Sequence, residues 1–383
     1  MCMPEWHISR LEFDRYGSLK IMSNHPTITS PGLLTIDLNA LAKNFCALRT
    51  AVPAECAAVI KANAYGLGVE PVAQRLFEEG CRHFFVANAK EGLELRGILS
   101  DASIYVFEGV SPGGEEAFLA ANLVPVLNSI EQVRCWRVAA PGFATVVHID
   151  TGMSRLGLSA LEVEQIANEH LLDDLNLKYV LTHLACADEP SHALNAMQLK
   201  RFDNLRNKLP AAKTSIGNSA GSLIDGDYCG DLARPGIALF GGSPFFLNES
   251  SMKTVVSLHG IIIQVREITE TVTVGYGASH TIVAPARLAI VGVGYADGYS
   301  RALSNRGVAF LAGKKVPVVG RVSMDLITLD VSEIPLDCVK PGKLVELLGK
   351  NIPLDELASL AGTVSYEMLT GIGRRWSRNY VGT

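Results

Sequence analysis

The sequence has few charged residues, few aromatic residues and no concentration of positive charge. Of its 383 residues, 19% are charged and 7% are aromatic, and the formal net charge is -5. Basic residues neither form a run nor alternate with aromatic ones, as they do in many nucleic-acid-binding surfaces. We therefore predict that the protein binds no nucleic acid.

The cysteines lack the spacing of a metal site or of a redox motif. They are scattered along the chain, and no two of them form a C-x-x-C pair or a zinc-type cluster. This distribution predicts reduced, buried thiols and no bound metal. The eight cysteines are Cys2, Cys46, Cys56, Cys81, Cys135, Cys186, Cys229 and Cys338.

A long apolar segment is missing near the start of the chain. Charged residues interrupt the first thirty positions, which leaves no signal-peptide core and no membrane-spanning stretch. We therefore predict a cytoplasmic protein that makes no membrane contact. Residues 1–32 are predicted to be a leader, either a disordered extension or sequence upstream of a later start.

The glycines near residue 294 do not form a dinucleotide-binding loop. Gly292, Gly294 and Gly298 lack the G-x-G-x-x-G spacing, and no β-α-β pattern surrounds them. No Ser-His-Asp order and no metal motif competes seriously either.

From residue 33 onward, short apolar runs alternate with stretches of helical period, a pattern typical of β-α units and a parallel sheet. An opening strand is predicted at 33–36, followed by a helix from residue 39. About eight β-α units favour a TIM barrel, although a doubly wound sheet also fits. The further strands are predicted at 57–60, 84–87, 104–107, 123–127, 145–149, 179–184, 214–217 and 237–240, with helices such as 72–79, 161–170 and 193–209 between them.

Beyond residue 246 the pattern changes to alternating, β-branched segments, which predict a second, mainly antiparallel β domain. These segments include 254–265, 271–274, 288–293 and 316–322, followed by a short helix at 354–360 and a last turn at 366–372. The predicted organisation is thus a leader at 1–32, a barrel at 33–245 and a β domain at 246–383.

Lys61 is the first candidate for chemistry because it ends an apolar run. Partial desolvation lowers the pKa of a lysine from its reference value of about 10.4, and the neutral amine can form a Schiff base with an aldehyde. A surface lysine whose stem packs on apolar side chains is the structural alternative. Arg155, His183 and Asn218-Ser219 also lie at or shortly after the ends of predicted strands, where the active sites of TIM barrels lie.

Five segments in order resemble the alanine racemases, a family that depends on pyridoxal 5'-phosphate (PLP). The first, VIKANAYGLG at 59–68, is similar to the lysine motif of that family. The other four are HIDTGMSRLGL at 148–158, LARPGIALFG at 232–241, VGYGA at 274–278 and GRVSMD at 320–325. Together they imply a PLP-binding TIM barrel, a C-terminal β domain and the racemisation of L- and D-alanine.

The resemblance implies two catalytic groups on opposite faces of the substrate. PLP makes the Cα proton removable, and racemisation then needs a base on one face and an acid on the other. By resemblance these groups are Lys61 and Tyr276, with His183 behind Tyr276. Arg234 is implied to face the pyridine nitrogen, where it keeps that nitrogen unprotonated and limits side reactions such as transamination.

The remaining site residues are also carried over from the family. PLP phosphate is expected to bind Ser219, the backbone of Gly236 and Ile237, and the tyrosines Tyr65 and Tyr366, with Asn218 beside them. The substrate carboxylate or nearby groups are expected to bind Arg155 and the Met324 backbone. Tyr295 is expected to line the substrate entrance, with Ser323 and Asp325 close to Met324.

The residue types alone leave structural alternatives open. Tyr276 could be a turn tyrosine and His183 a core histidine. Arg234 could be a surface or capping arginine, and Ser219 could be a helix N-cap.

Three positions depart from the family pattern. Many members carry a lysine at position 148, which when carbamylated orients the central arginine, whereas this chain has His148. The support of Arg155 is therefore left open. Leu67 replaces a histidine common in the lysine motif, and Ser323 replaces a cysteine beside the methionine, so substrate tolerance can differ.

The resemblance further implies a homodimer in which Tyr276 of one subunit enters the barrel mouth of the other. Alternative functions are a racemase of broader specificity, for example for serine, a PLP-dependent decarboxylase, and a PLP homeostasis protein. Related decarboxylases use an acidic residue where this chain has Arg234, and homeostasis proteins lack a second domain that carries a residue like Tyr276.

Overall fold

The computed structural model of the protein describes residues 12–13, 19–20, 32–245 and 252–382. Most of the predicted leader at 1–32 therefore lies outside the described residues. The predicted domain boundary falls between residues 245 and 246, and residue 246 is also outside them. In the leader, Glu12–Phe13 and Leu19–Lys20 form a two-stranded antiparallel pair.

Parallel strands form a closed barrel, which confirms the TIM-barrel prediction. The last strand pairs in parallel with the first, and the Asp231 and Arg234 N-H groups donate to the Thr214 and Gly217 carbonyls, each at 2.8 Å. The barrel strands are Glu55–Cys56 continued by Ala58–Val59, then His83–Val86, Ser103–Val106, Leu123–Leu127, Ala144–His148, Asn176–Leu181, Lys213–Ser215 and Leu232–Ala233.

Two segments predicted as barrel strands are not part of the barrel sheet. The opening segment does form a strand, Gly32–Asp37, but it pairs with Val256–Ile268 and Arg378–Val381 in the second sheet. The apolar run at 237–240 is a 3-10 helix, and Leu232–Ala233 closes the barrel instead. Both errors have one cause, because a short buried apolar run does not by itself specify its strand partner or distinguish strand from helix.

Helices cover the outside of the barrel and follow the predicted periodicity. The helices predicted at 72–79, 161–170 and 193–209 are present within a few residues of those bounds. Side chains cap several of them, and Ser159 and Glu162 form a reciprocal capping box. The helices are Leu38–Ala51, Val69–Glu78, Ala89–Ile98, Glu115–Ala120, Ile130–Ala139, Ala160–Asn168, Ala193–Arg206 and Gly221–Ile224.

The second part of the chain is mainly antiparallel β structure, as predicted. Its longest strand, Val256–Ile268, pairs antiparallel with Ala286–Val291, Leu344–Leu348 and Gly32–Asp37. The other strands are Val308–Leu311, Lys314–Pro317, Ile327–Asp330, Arg378–Val381 and the hairpin Val272–Val274 and His280–Ile282, and the helices are Leu354–Ala361 and Ser365–Thr370.

The core of the barrel and most of the β domain's buried side chains form one continuous apolar cluster. A smaller cluster of Ile268, Val274, Ile282, Leu288 and Val319 lies beneath the hairpin. Within the part of the chain that the structure describes, no helix combines the length and the apolar character needed to cross a bilayer.

Candidate active site

A cavity of about 270 Å³ lies at the C-terminal ends of the barrel strands. Ten of the residues predicted from the sequence line it, together with two that sequence reasoning missed, Val59 and Phe107. Both missed residues lie at strand ends, so their positions in the barrel pattern were a usable signal. The lining residues are Val59, Lys61, Tyr65, Phe107, Arg155, His183, Asn218, Ser219, Arg234, Gly236, Ile237 and Tyr366.

Lys61 follows the first barrel strand and points its amine into this cavity. Its Nζ lies 5.7 Å from the centroid of the Phe107 ring. Burial, reinforced by the charge of Arg155, lowers the pKa of the Lys61 amine, and the charge of Glu91 partly opposes this shift. A larger fraction of the amine is therefore neutral, and able to act as a nucleophile or a base, than in an exposed lysine.

The residues after Lys61 form a left-handed turn. Ala62, Asn63, Ala64 and Tyr65 all have φ between 52° and 55°. Such a conformation costs about 1–2 kcal/mol for each residue other than glycine. The turn closes through hydrogen bonds from the Ala64 N-H to the Ile60 carbonyl at 2.9 Å and from the Gly66 N-H to the Ala62 carbonyl at 2.8 Å. It brings Tyr65 back beneath the cavity.

Arg234 is buried, with only 2% of its surface exposed. Its Nη1 donates to Ser215 Oγ at 2.6 Å and its Nη2 to the Thr182 carbonyl at 2.7 Å. Its Nε has no hydrogen-bond partner among the described residues. Burial lowers the pKa of Arg234 to about 9, so the side chain remains charged at neutral pH. A buried, unpaired N-H donor fits a neutral acceptor such as an unprotonated pyridine nitrogen.

Ser219 and Gly236, which also line the cavity, form a small polar cradle. Ser219 Oγ accepts hydrogen bonds from the Gly236 N-H at 2.8 Å and the Ala238 N-H at 3.4 Å, which leaves its own hydrogen free to donate. A Cβ at position 236 would overlap the Tyr65 hydroxyl. The rings of Tyr65 and Tyr366 lie 5.9 Å apart. Hydroxyls and backbone N-H groups of this kind suit a phosphate.

Both cavity tyrosines keep their phenol protons at neutral pH. Burial raises the pKa of Tyr65, and burial with the nearby charge of Asp188 raises the pKa of Tyr366 to about 12. Each phenol can therefore donate a hydrogen bond to an anion.

Two partly buried histidines near the cavity are neutral. Burial and the charges of Arg234 and Arg155 lower the pKa of His183 far below its usual value. Burial and Arg234 likewise lower the pKa of His148 to about 3. His148 Nδ1 lies 2.8 Å from the Oδ1 of Asn128.

The hydrogen bonds of Asn128 define the His148 tautomer. Its Nδ2 donates to the Phe107 and Val126 carbonyls, so its Oδ1 must accept from His148 Nδ1-H. His148 is thus a neutral group and not the anionic partner that a carbamylated lysine would supply.

Arg155 makes no hydrogen bond or ion pair with any residue that the structure describes. The loop that carries it is held by Asp150, whose carboxylate accepts hydrogen bonds from the N-H groups of Gly152, Met153 and Ser154 at 2.9 to 3.1 Å. The guanidinium therefore lines the cavity with its donors available.

Of the six site residues predicted in the β domain, Tyr366 lines the cavity and the other five do not line the cavity of their own chain. Tyr276 is 71% exposed, and Tyr295 and Met324 are also exposed. The loops of the last two are joined, because the Tyr295 N-H donates to the Ser323 carbonyl and the Ala296 N-H to the Met324 carbonyl. Asp325 pairs with Arg375, which also pairs with the buried Asp297.

Two protein-family models match the chain. The family model described as alanine racemase, N-terminal domain, matches residues 36–244, and the model described as alanine racemase, C-terminal domain, matches residues 255–380. The chain belongs to the alanine racemase family.

Curated relatives in this family span nearly the whole chain. An alanine racemase of Rhodospirillum rubrum is 46% identical over 358 residues, which cover 91% of this chain and 96% of the relative. A protein named alanine racemase, catabolic, from Agrobacterium fabrum is 46% identical over 357 residues, which cover 91% of this chain and 92% of the relative.

Solved structures of alanine racemases share the fold. One from Bartonella henselae, with covalently bound pyridoxal phosphate, has a TM-score of 0.88 and 36% identity, and the match covers 92% of this chain and all of that one. A biosynthetic alanine racemase from Pseudomonas aeruginosa has a TM-score of 0.87 and 32% identity over the same shares of the two chains. The enzyme class follows from this membership: the chain is an amino-acid racemase.

Proposed function

We propose that this protein interconverts L-alanine and D-alanine with PLP and two bases, Lys61 of one subunit and Tyr276 of its partner. The racemase activity follows from the family, whereas the roles of the individual residues and the assembly are our proposal. The observation that carries it is that Lys61, Arg234 and Ser219 line one cavity, and that Arg234 Nε has no hydrogen-bond partner among the described residues.

The residues of the cavity suit PLP along its whole length. Lys61 would hold its aldehyde carbon, and Arg234 Nε would donate to its ring nitrogen. The phosphate would bind the Ser219 hydroxyl, the backbone of Gly236 and Ile237, and the phenols of Tyr65 and Tyr366, with Asn218 shaping the loop through its hydrogen bond to Gly221. When bound, this cofactor supplies an electron sink that makes the Cα proton of an amino acid removable.

Lys61 and Tyr276 then transfer that proton on opposite faces. A lysine of lowered pKa can take the proton from Cα as a neutral amine or return it as an ammonium group. A second acid-base group is needed on the other face, because one group alone would regenerate the starting enantiomer. Tyr276 would fill this role, and neutral His183 could accept a hydrogen bond from the phenol or share its proton.

Arg155 and the β domain would bind the rest of the substrate. The free guanidinium of Arg155 is suited to a carboxylate, and the Met324 backbone would bind next to it. Tyr295 would line the entrance, since hydrogen bonds join its loop to the Ser323-Met324 loop. Asp325 would act through its ion pair with Arg375, which holds that loop.

A homodimer is part of the proposal. Its support is the position of Tyr276, which is 71% exposed and absent from the cavity of its own chain. A head-to-tail pair of subunits would bring Tyr276 of each into the barrel mouth of the other.

We also propose the division into a barrel at 33–245 and a β domain at 246–383. The two family models support it, because the N-terminal model ends at residue 244 and the C-terminal model begins at residue 255. The strand Gly32–Asp37 joins the β sheet across this division.

The proposed role in the cell is the supply of D-alanine for peptidoglycan. A decarboxylase is disfavoured because the buried group that would face the ring nitrogen is Arg234 and not a carboxylate. The alternative is a racemase of broader specificity, for example for serine, and an assay with several amino acids distinguishes it from an alanine racemase.

A chiral assay of the purified protein with PLP and each L-amino acid tests the function. We expect D-alanine from L-alanine, and borohydride reduction followed by peptide mapping should place the cofactor on Lys61. Lys61→Ala should lose both, while Lys90→Ala, an exposed lysine outside the cavity, should keep both. A cofactor label on another residue, or decarboxylation without racemisation, would overturn the proposal.

A further inference from the structure

The left-handed turn after Lys61 is held from outside by side chains of other elements. Four successive residues other than glycine, 62–65, have positive φ, a conformation that L-residues rarely adopt. Strained segments of this kind persist only where their surroundings hold them. The contacts at the two ends of the turn therefore bear on the position of the Lys61 amine.

Glu91 holds the first end. Its Oε1 accepts a hydrogen bond from the Ala62 N-H at 2.8 Å, and its Oε2 accepts one from the Ala87 N-H, also at 2.8 Å. Ala62 directly follows Lys61, and Ala87 directly follows the neighbouring strand His83–Val86. A single carboxylate thus joins the C-terminal ends of two adjacent barrel strands.

Glu91 is itself well anchored. It lies in the first turn of the helix Ala89–Ile98, and its N-H donates to the N-cap Asn88 Oδ1 at 3.1 Å. Its charge also acts on the lysine, since it raises the Lys61 pKa against the effects of burial and Arg155. The carboxylate therefore affects both the geometry and the protonation of Lys61.

The C-terminal strand holds the other end of the turn. Arg378 Nη2 donates to the Gly66 carbonyl at 2.8 Å, and the Tyr380 hydroxyl donates to the Leu67 carbonyl at 2.7 Å. Arg378 and Gly66 are 312 positions apart in the sequence.

We propose that Glu91 is a positioning residue for Lys61, whose carboxylate keeps the left-handed turn in place while Arg378 holds its far end. This inference rests on the proposed function, in which Lys61 binds PLP and moves the Cα proton. The experiment must therefore distinguish loss of the Glu91 hydrogen bonds from absence of the proposed function.

The matched variants are Glu91→Gln, Glu91→Asp and Glu94→Gln. Glutamine offers one carbonyl oxygen, so its amide NH₂ would face one of the two N-H donors. Aspartate keeps the charge but is one methylene shorter, so it cannot bridge both strand ends. Glu94 is an exposed residue of the same helix, so Glu94→Gln makes the same charge change away from the turn.

Two measurements report on Lys61 without relying on turnover. The first is the PLP dissociation constant, taken from the absorbance of the lysine-bound cofactor. We expect Glu91→Gln and Glu91→Asp to bind PLP at least about 10-fold more weakly than Glu94→Gln, because a charged hydrogen bond is lost. The second is the pH profile of Lys61 methylation by formaldehyde and borohydride in the apoprotein, read by peptide mass spectrometry.

The methylation profile separates positioning from general stability. Its midpoint should move to lower pH in Glu91→Gln, since the negative charge is lost, and should stay close to that of Glu94→Gln in Glu91→Asp. PLP affinities and midpoints equal to those of Glu94→Gln would overturn the inference. If circular dichroism shows that Glu91→Gln does not fold, Glu91→Asp provides the test. A PLP affinity of Glu91→Asp equal to that of Glu94→Gln would refute the positioning role of Glu91. Failure of Glu94→Gln and the unaltered protein to bind PLP at Lys61 would instead refute the proposed function.

Discussion

Gly236 and Tyr65 are packed so closely that residue 236 cannot carry a side chain without moving the tyrosine. A Cβ at this position would overlap the Tyr65 hydroxyl and would also contact Val59. The φ of Gly236, -128°, lies outside the left-handed region that favours glycine, so the argument for glycine here rests on space. Glycine at this position therefore leaves room for the Tyr65 hydroxyl in the cavity lining.

Gly236→Ala should weaken PLP binding with little effect on the fold. The methyl group would displace the Tyr65 hydroxyl and disturb the Gly236 N-H bond to Ser219, and such overpacking costs about 1–3 kcal/mol. We expect an increase of about 10-fold or more in the PLP dissociation constant, measured by absorbance. Gly97→Ala is the control, because a Cβ there meets nothing within 4 Å. Equal affinities in the two variants would refute the packing argument.

Replacing Arg234 should change which reaction the cofactor undergoes. Arg234→Glu would place a carboxylate opposite the ring nitrogen, favour its protonation and strengthen the electron sink. Racemisation should fall while pyruvate from transamination rises, as measured by chiral chromatography and a pyruvate assay. Arg234→Gln, which removes the charge without adding an acid, should lose racemisation without the rise in pyruvate. An unchanged product ratio in Arg234→Glu would contradict the assigned role.

Stability should fall at acid pH because the folded protein keeps the partly buried His148 and His183 as neutral groups. Their folded-state pKa values lie below the reference of 6.5, that of His148 at about 3, so the unfolded chain binds their protons first. Neither histidine affects stability above pH 6.5, and both lower it as the pH falls below that value, by about 2 kcal/mol at pH 5 for His148.

Melting temperatures of the apoprotein at pH 7.5 and 5.0 check this expectation. His148→Gln should lose less stability over that range than the unaltered protein does. His170→Gln, at a histidine whose side chain is 76% exposed, should lose as much as the unaltered protein. An identical acid-induced loss in all three proteins would show that His148 is not the group that titrates.

A mixture of two inactive variants should regain activity if the sites are shared. In a heterodimer of Lys61→Ala and Tyr276→Phe subunits, both lesions fall in one site and the other site is intact. Random reassortment gives about half heterodimers, each with one good site, so about a quarter of normal activity should return. Native mass spectrometry checks that subunits exchange. Mixtures that exchange and remain inactive would place Tyr276 in its own chain's site or outside catalysis.

The sequence by itself determined the barrel, the second β domain and the ten predicted residues that share the cavity. For Lys61, Arg155, His183, Asn218 and Ser219 the reason is local, because each lies at or shortly after the end of a predicted strand, and the parallel strands of a barrel end at the same rim. The other five were placed by the resemblance to the alanine racemases. Lys61, His183 and Ser219 could therefore be placed together without knowledge of the packing.

Only the tertiary structure decided which strands pair and which side chains hold the site from a distance. The strand Gly32–Asp37 pairs with Arg378–Val381, and Arg378 reaches Gly66, across separations that local periodicity cannot encode. The unpaired Nε of Arg234 and the two hydrogen bonds of Glu91 likewise arise only when distant strand ends meet. Hydrogen-bond satisfaction of buried groups is a property of the packed molecule, since it depends on neighbours that the chain brings together only on folding.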